Sequence, residues 1–79
     1  MEKTIVNNIL REFEKGQIVS LKLDRGNGPF TKLARFDGFD RNDNPLLYLT
    51  GEIPLDIDKI GGYSSIRYLQ DEYPDGARR

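Results

Sequence analysis

Cysteine, histidine and tryptophan are all missing from this 79-residue chain. Without cysteine, neither a disulfide nor a thiolate metal site can supplement the core. Without histidine, the commonest general base and the commonest transition-metal ligand are gone. That argues against zinc, copper and haem sites, and against a Ser-His or Cys-His nucleophile pair. Long apolar runs are missing too. The opening "MEKTIVNNIL" sets charges and asparagines among its apolar residues, so it reads as neither a signal peptide nor a membrane span. The expectation is a soluble, cytoplasmic protein with no membrane partner. Net charge is also small, at −1 with a pI near 5.3.

Charge is unevenly placed along the chain. Residues 21–36 carry Lys22, Arg25, Lys32 and Arg35 against Asp24 alone. Residues 37–58 carry Asp37, Asp40, Asp43, Glu52, Asp56 and Asp58 against Arg41. A basic segment followed by an acidic one predicts an electrostatically polarised surface.

The length allows one small domain, with a limited core and modest stability. Ile5, Val6, Ile9, Leu10 and Phe13 recur at helical spacing, with Thr4 as N-cap and Gly16 as C′ residue. They predict an amphipathic helix over 4–15. From Gln17 the period becomes two. Val19, Leu21 and Leu23 share one face of a first strand. "DRGNG" supplies a turn. A long second strand follows, with Phe30, Ala34 and Phe36 on the core side and Gly38 marking a bulge or bend. "LLYLTGEI" predicts a third strand, and "IPLDID" a fourth that Pro54 confines to an edge or to its first residues. "KIGGY" turns the chain, and "SSIRYL" predicts a fifth strand with Ile66 and Tyr68 opposed to Arg67 and Leu69. Residues 71–79 read as a flexible tail, leaving 1–70 as the domain. The order predicts a mainly β fold: a small, partly open SH3-like barrel of about five antiparallel strands behind one N-terminal helix.

The segment "ARFDGFDRNDNPLLYL" resembles the first motif of Sm-like and Hfq-like proteins: Ala34, Phe36, Phe39-Asp40, Asn44, then Leu47 and Leu49. The resemblance covers residues 34–49. It implies a small barrel in which Asp40 and Asn44 hold RNA bases at the inner rim of a ring, with Phe39 packed beneath. The sequence departs from the family where Ala34 replaces a glycine and Pro45 follows the asparagine directly. Nothing in it matches the second Sm motif.

Asp40, Asn42 and Asn44 also fall at the first three ligand positions of an EF-hand loop. The sixth position, which needs a glycine, is Pro45, and the twelfth, which needs a glutamate, is Gly51. A polar turn is the better reading. "GNGP" and "GG" lack phosphate-loop spacing and read as turns. Asp56 and Asp58 fall on one face of the expected fourth strand, where solvation is the ordinary state. Ser20, Ser64 and Ser65 have no base to activate them.

The basic segment, interleaved with Phe30, Phe36 and Phe39, could hold single-stranded nucleic acid or could be an ordinary solvated sheet face. Tyr48, Tyr63, Tyr68 and Tyr73 supply the residue type enriched at protein interfaces. The expectation is therefore a non-enzymatic interaction module without cofactor or metal. It binds a protein partner, or its own copies, through a polarised barrel surface. The alternative is an Sm-like RNA binder using Asp40, Asn44 and the basic hairpin. Lys22, Arg25, Lys32, Arg35, Asp40 and Asn44 are the candidate contacts.

Overall fold

The computed structural model describes residues Met1–Asp71. One helix precedes a single antiparallel sheet. The helix is α1 (Lys3–Leu10), and the strands are β1 (Ile18–Asp24), β2 (Pro29–Phe39), β3 (Pro45–Leu49), β4 (Ile53–Pro54) and β5 (Ile66–Asp71). Their order across the sheet is β4-β3-β2-β1-β5. Two short 3-10 turns, Ile57–Ile60 and Tyr63–Ser65, carry the chain from β4 to β5. The fold is mainly β and barrel-like, as the alternating periods predict. Residues 72–79 of the expected tail lie outside the described residues, while Asp71 belongs to β5 and pairs with Val19. Among the described residues no helix is long and apolar enough to cross a membrane.

The core sits on the inner face of β1. Val19, Leu21 and Leu23 are fully buried there, joined by Ala34 and Phe36 from β2, Leu47 from β3, and Ile66 and Leu69 from β5. Each buried aliphatic side chain of this kind contributes about 1.5–3 kcal/mol. Val6 and Leu10 of α1 close the open side of this layer, each with no exposed surface.

The helix is shorter than its periodicity predicts, ending at Leu10 rather than Lys15. The Glu12 and Phe13 amides bond the Ile9 and Leu10 carbonyls, tightening the chain into a 3-10-type turn. Phe13 extends the apolar pattern because it packs on the core from that turn. Ile5 stands 47% exposed, so the apolar stripe is narrower than expected. Thr4 lies inside the helix, whose N-cap is Glu2. Gly16 does turn the chain, at φ +93°, and its N–H reaches the Phe36 carbonyl at 2.6 Å. Buried Asn7 ties α1 to the β2–β3 turn through Nδ2 and the Asp43 carbonyl, at 2.9 Å. Met1 reaches the far side, its ammonium donating to the carbonyls of Tyr63 and Ile66.

Two irregularities shape the sheet. Gly38 adopts φ +90° where the β2–β3 register shifts, between Phe36 and Phe39. This is the bend that a glycine inside a long strand predicts. The second shift lies in β5, where Ile66 pairs with Leu23 but Tyr68 with Lys22, leaving Arg67 as the extra residue. The bulge overturns the expected alternation: Ile66 faces inward, Tyr68 faces outward beside Lys22, and Leu69 returns to the core.

The fourth strand is far shorter than "IPLDID" predicts. Thr50–Glu52 turn the chain, with Gly51 and Glu52 at positive φ, and only Ile53 and Pro54 pair with β3. Asp56 then accepts the Asp58 N–H at 3.0 Å and caps a 3-10 turn, a bond that competes with strand formation. Asp56 and Asp58 therefore do not line a strand face. Phe30 is also displaced from the expected core, standing 38% exposed although its partner Leu23 is fully buried, because β3 pairs with β2 only from Arg35 onward and leaves this half of β2 at the sheet's edge.

Leu21→Ala is expected to lower the unfolding free energy by about 2–5 kcal/mol in urea titrations. Gly38→Ala meets no atom within 4 Å, so its cost is backbone strain alone, about 1–2 kcal/mol.

Candidate interaction surface

A sheet covered on one side presents the other. β1 turns Ile18, Ser20 and Lys22 outward, and these pair with Arg35, Leu33 and Thr31 of β2. Arg35 pairs in turn with Tyr48, and Lys22 with Tyr68. The outer face therefore mixes aromatic, aliphatic and cationic groups. Leu33 is 47% exposed and Tyr68 45%.

The outer face is concave at one end. Ile18, Leu33, Arg35, Tyr48, Leu49 and the 50–52 turn line a shallow groove of about 320 Å³. Arg35 is fixed on its wall. Its two terminal nitrogens reach Glu52 Oε1 and Oε2 at 3.1 and 2.6 Å, a two-pronged ion pair, and its Cζ lies 5.2 Å from the Tyr48 ring centre. The ion pair raises the Arg35 pKa and lowers that of Glu52, the hydrogen bond between them being the main cause in each case. Glu52 can reach Arg35 because the preceding turn places it at φ +66°.

The four candidate cations do not share one site. Lys22 stands over Tyr68, 5.8 Å from the ring centre. Arg35 is held by Glu52 in the groove. Lys32 pairs with Leu21, so it has the parity of the inner face, yet it is exposed because β3 pairs with β2 only from Arg35 onward and leaves this half of β2 at the sheet's edge. Arg25 occupies the β1–β2 turn and points toward the Lys59 carbonyl at 3.4 Å.

Asp40 and Asn44 meet in the β2–β3 turn, chiefly through each other. Asp40 Oδ1 accepts the Asn42 and Asn44 N–H groups at 2.8 and 2.9 Å, and Asp40 Oδ2 accepts Asn44 Nδ2 at 3.2 Å. The Asn44 carbonyl accepts the Asp40 N–H, closing the turn, and Asn44 Oδ1 accepts Lys3 Nζ at 2.6 Å. This turn fixes where β3 begins: Pro45 is its first residue. Phe39 packs edge-on against Phe36, with Arg11 over its other side. The Asn44 N–H, helped by the Asn42 N–H and the Asn44 side chain, holds the Asp40 carboxyl below the usual aspartate range.

Sequence reasoning named Arg35 but neither Leu33 nor Glu52 as contributors to the groove. Leu33 was legible only as the outward member of an alternating pair, and Glu52 only through the turn that breaks the expected third strand. The chain matches no family model, no curated protein and no solved structure.

Asp40 has a depressed folded-state pKa, so its contribution to stability is complete above the ordinary aspartate value of about 4 and is lost as pH falls through the folded value. The difference in unfolding free energy between the wild type and Asp40→Asn should be constant above about pH 5 and shrink below it. Paired chemical denaturation at several pH values reads this directly.

Proposed function

We propose that the chain is a non-enzymatic, cytoplasmic interaction module that binds a protein partner, further copies of itself included, through the outer face of its sheet. The observation that carries this reading is the groove beside Leu33 and Tyr48, with Arg35 already locked on its wall. Protein interfaces favour aromatic and arginine anchors with the rest of the patch mixed in polarity, and this face offers that combination. An arginine immobilised in advance loses little further freedom when a partner docks. Over residues 67–70 the outer edge of β5 has no strand beside it among the described residues, and it offers backbone groups for strand addition by the same partner or by a second copy.

The RNA-binding reading draws its support from the resemblance over residues 34–49. Two features favour the protein partner over it. Asp40 and Asn44 are occupied by each other and by Lys3, and Arg35 is neutralised by Glu52. An RNA site would need those groups free for bases and phosphates.

Leu33→Asp, at an exposed position, should leave the melting temperature nearly unchanged while weakening partner capture, or self-association in analytical ultracentrifugation, by at least about tenfold. Capture and association identical to the wild type would overturn the proposal. Salt-sensitive binding of a single-stranded oligonucleotide, abolished by Lys32→Ala with Arg35→Ala, would overturn it in favour of RNA.

A further inference from the structure

A second cleft, of about 600 Å³, opens between the β1–β2 turn and the start of β5. Its walls are Asp24, Arg25, Gly61, Ser64, Ser65 and Arg67. The character of this site is polar, unlike the groove on the sheet face, and the two share no lining residue.

Both arginines are only weakly engaged. Arg25 Nη1 makes a long bond to the Lys59 carbonyl at 3.4 Å, and Arg67 Nη2 one to the Asp24 carbonyl at 3.5 Å. Among the described residues neither forms an ion pair, and the Arg35–Glu52 pair is the one salt bridge. A guanidinium carries five N–H donors, so each arginine keeps most of its donors for something else.

Their positions are built by the backbone. Arg25 lies with its stem against Gly61, where an added Cβ would come within 2.8 Å of Cδ and 2.9 Å of Cγ. Gly61, at φ +107°, is thus both the turn residue and the seat for that stem. Arg67 is the extra residue of the β5 bulge, a device that re-aims a side chain out of the regular alternation. Between them Ser64 presents an exposed hydroxyl with no partner among the described residues, and buried Ser65 donates its own to the Gly62 carbonyl at 2.8 Å. The carboxylate in the wall, Asp24, is engaged through Oδ1 by the Gly26 N–H at 2.8 Å. Two cations against one anion leave the cleft positive in a chain whose net charge is −1.

We propose that this cleft binds a single phosphate monoester group, clamped between the Arg25 and Arg67 guanidiniums with the Ser64 hydroxyl as a further donor. Planar guanidinium forks match phosphate oxygens in pairs, a geometry that an ammonium cannot reproduce. A compact dianion fits better than a nucleic-acid backbone, which needs a row of cations along a track. Lys22 and Arg35 do not continue the cleft as such a row, being engaged by Tyr68 and by Glu52 on the sheet's outer face. The phosphate can belong to a small metabolite or to a phosphorylated side chain of a partner. The chemistry recognised is the same.

The test is an NMR titration of the 79-residue chain with inorganic phosphate, phosphoserine and a phosphoserine-containing peptide. Saturable shifts are expected at the amides of Gly61, Gly62, Ser64 and Ser65. Arg25→Gln and Arg67→Gln should each weaken binding about tenfold or more, and Arg→Lys at both positions should weaken it as well, since the charge stays but the fork is lost. Both arginines are exposed, and an unchanged thermal melt would confirm that the variants fold. A peptide that binds more tightly than free phosphoserine assigns the site to a phosphorylated protein, and equal affinities assign it to a small molecule. Absence of saturable shifts, or shifts that persist in the double glutamine variant, would overturn the proposal.

Discussion

Everything in this fold depends on burying the inner face of one strand. β1 alone has neighbours over most of its length on both sides, β2 and β5, and its Val19, Leu21 and Leu23 are at most 1% exposed. A chain of this size buries a small core and, lacking cysteine, has no disulfide to add to it, so losing any part of that face would be costly. The other elements can be understood by how they serve it. β5 covers one flank with Ile66 and Leu69, β2 bends at Gly38 to bring Phe36 over the other, and α1 lays Val6 and Leu10 across the opening.

Concentrating the burial on one side has a consequence for function. Side chains alternate along a strand, so a β1 that commits Val19, Leu21 and Leu23 inward must send Ile18, Ser20 and Lys22 outward. That outer face stays accessible at Leu33 and Tyr68, while α1 packs on the inner one. The outer face, with its fixed Arg35 and its groove, follows from the same arithmetic that makes the core. The bulge at Arg67 adds to this: it returns Leu69 to the core while placing Tyr68 on the outer face and Arg67 at the polar cleft.

The parts of this that were legible in the sequence are those governed by local periodicity. β1 was readable because "VSLKL" alternates without interruption and its inward residues are all aliphatic. Gly38 announced the bend because a glycine inside a long strand run, with Phe36 before it and Phe39 after it, has a positional meaning. What failed did so for identifiable reasons. "IPLDID" alternates as cleanly as β1, yet an aspartate bonding the amide two residues on converts it into a 3-10 turn, and such a bond leaves no trace in hydropathy. Ile5 and Phe30 carry the pattern of core residues but stand where no element covers them, a matter of tertiary placement alone. The β5 bulge inverted the assignment of Tyr68, since one inserted residue exchanges the two faces. The six candidate contacts were individually visible, whereas their placement was not: Arg35 lines the groove, Asp40 and Asn44 close the β2–β3 turn, Arg25 lines the cleft, and Lys22 and Lys32 belong to none of these.

Amide hydrogen exchange tests the dependence on β1 most directly. If the buried face of that strand is what the rest is assembled on, the amides of Val19, Leu21 and Leu23 exchange only through global unfolding, with protection equal to the stability measured by denaturant. Those of the 50–52 turn and of β4 exchange through local opening, with much smaller protection. Protection in β1 no greater than in β4 would contradict the account.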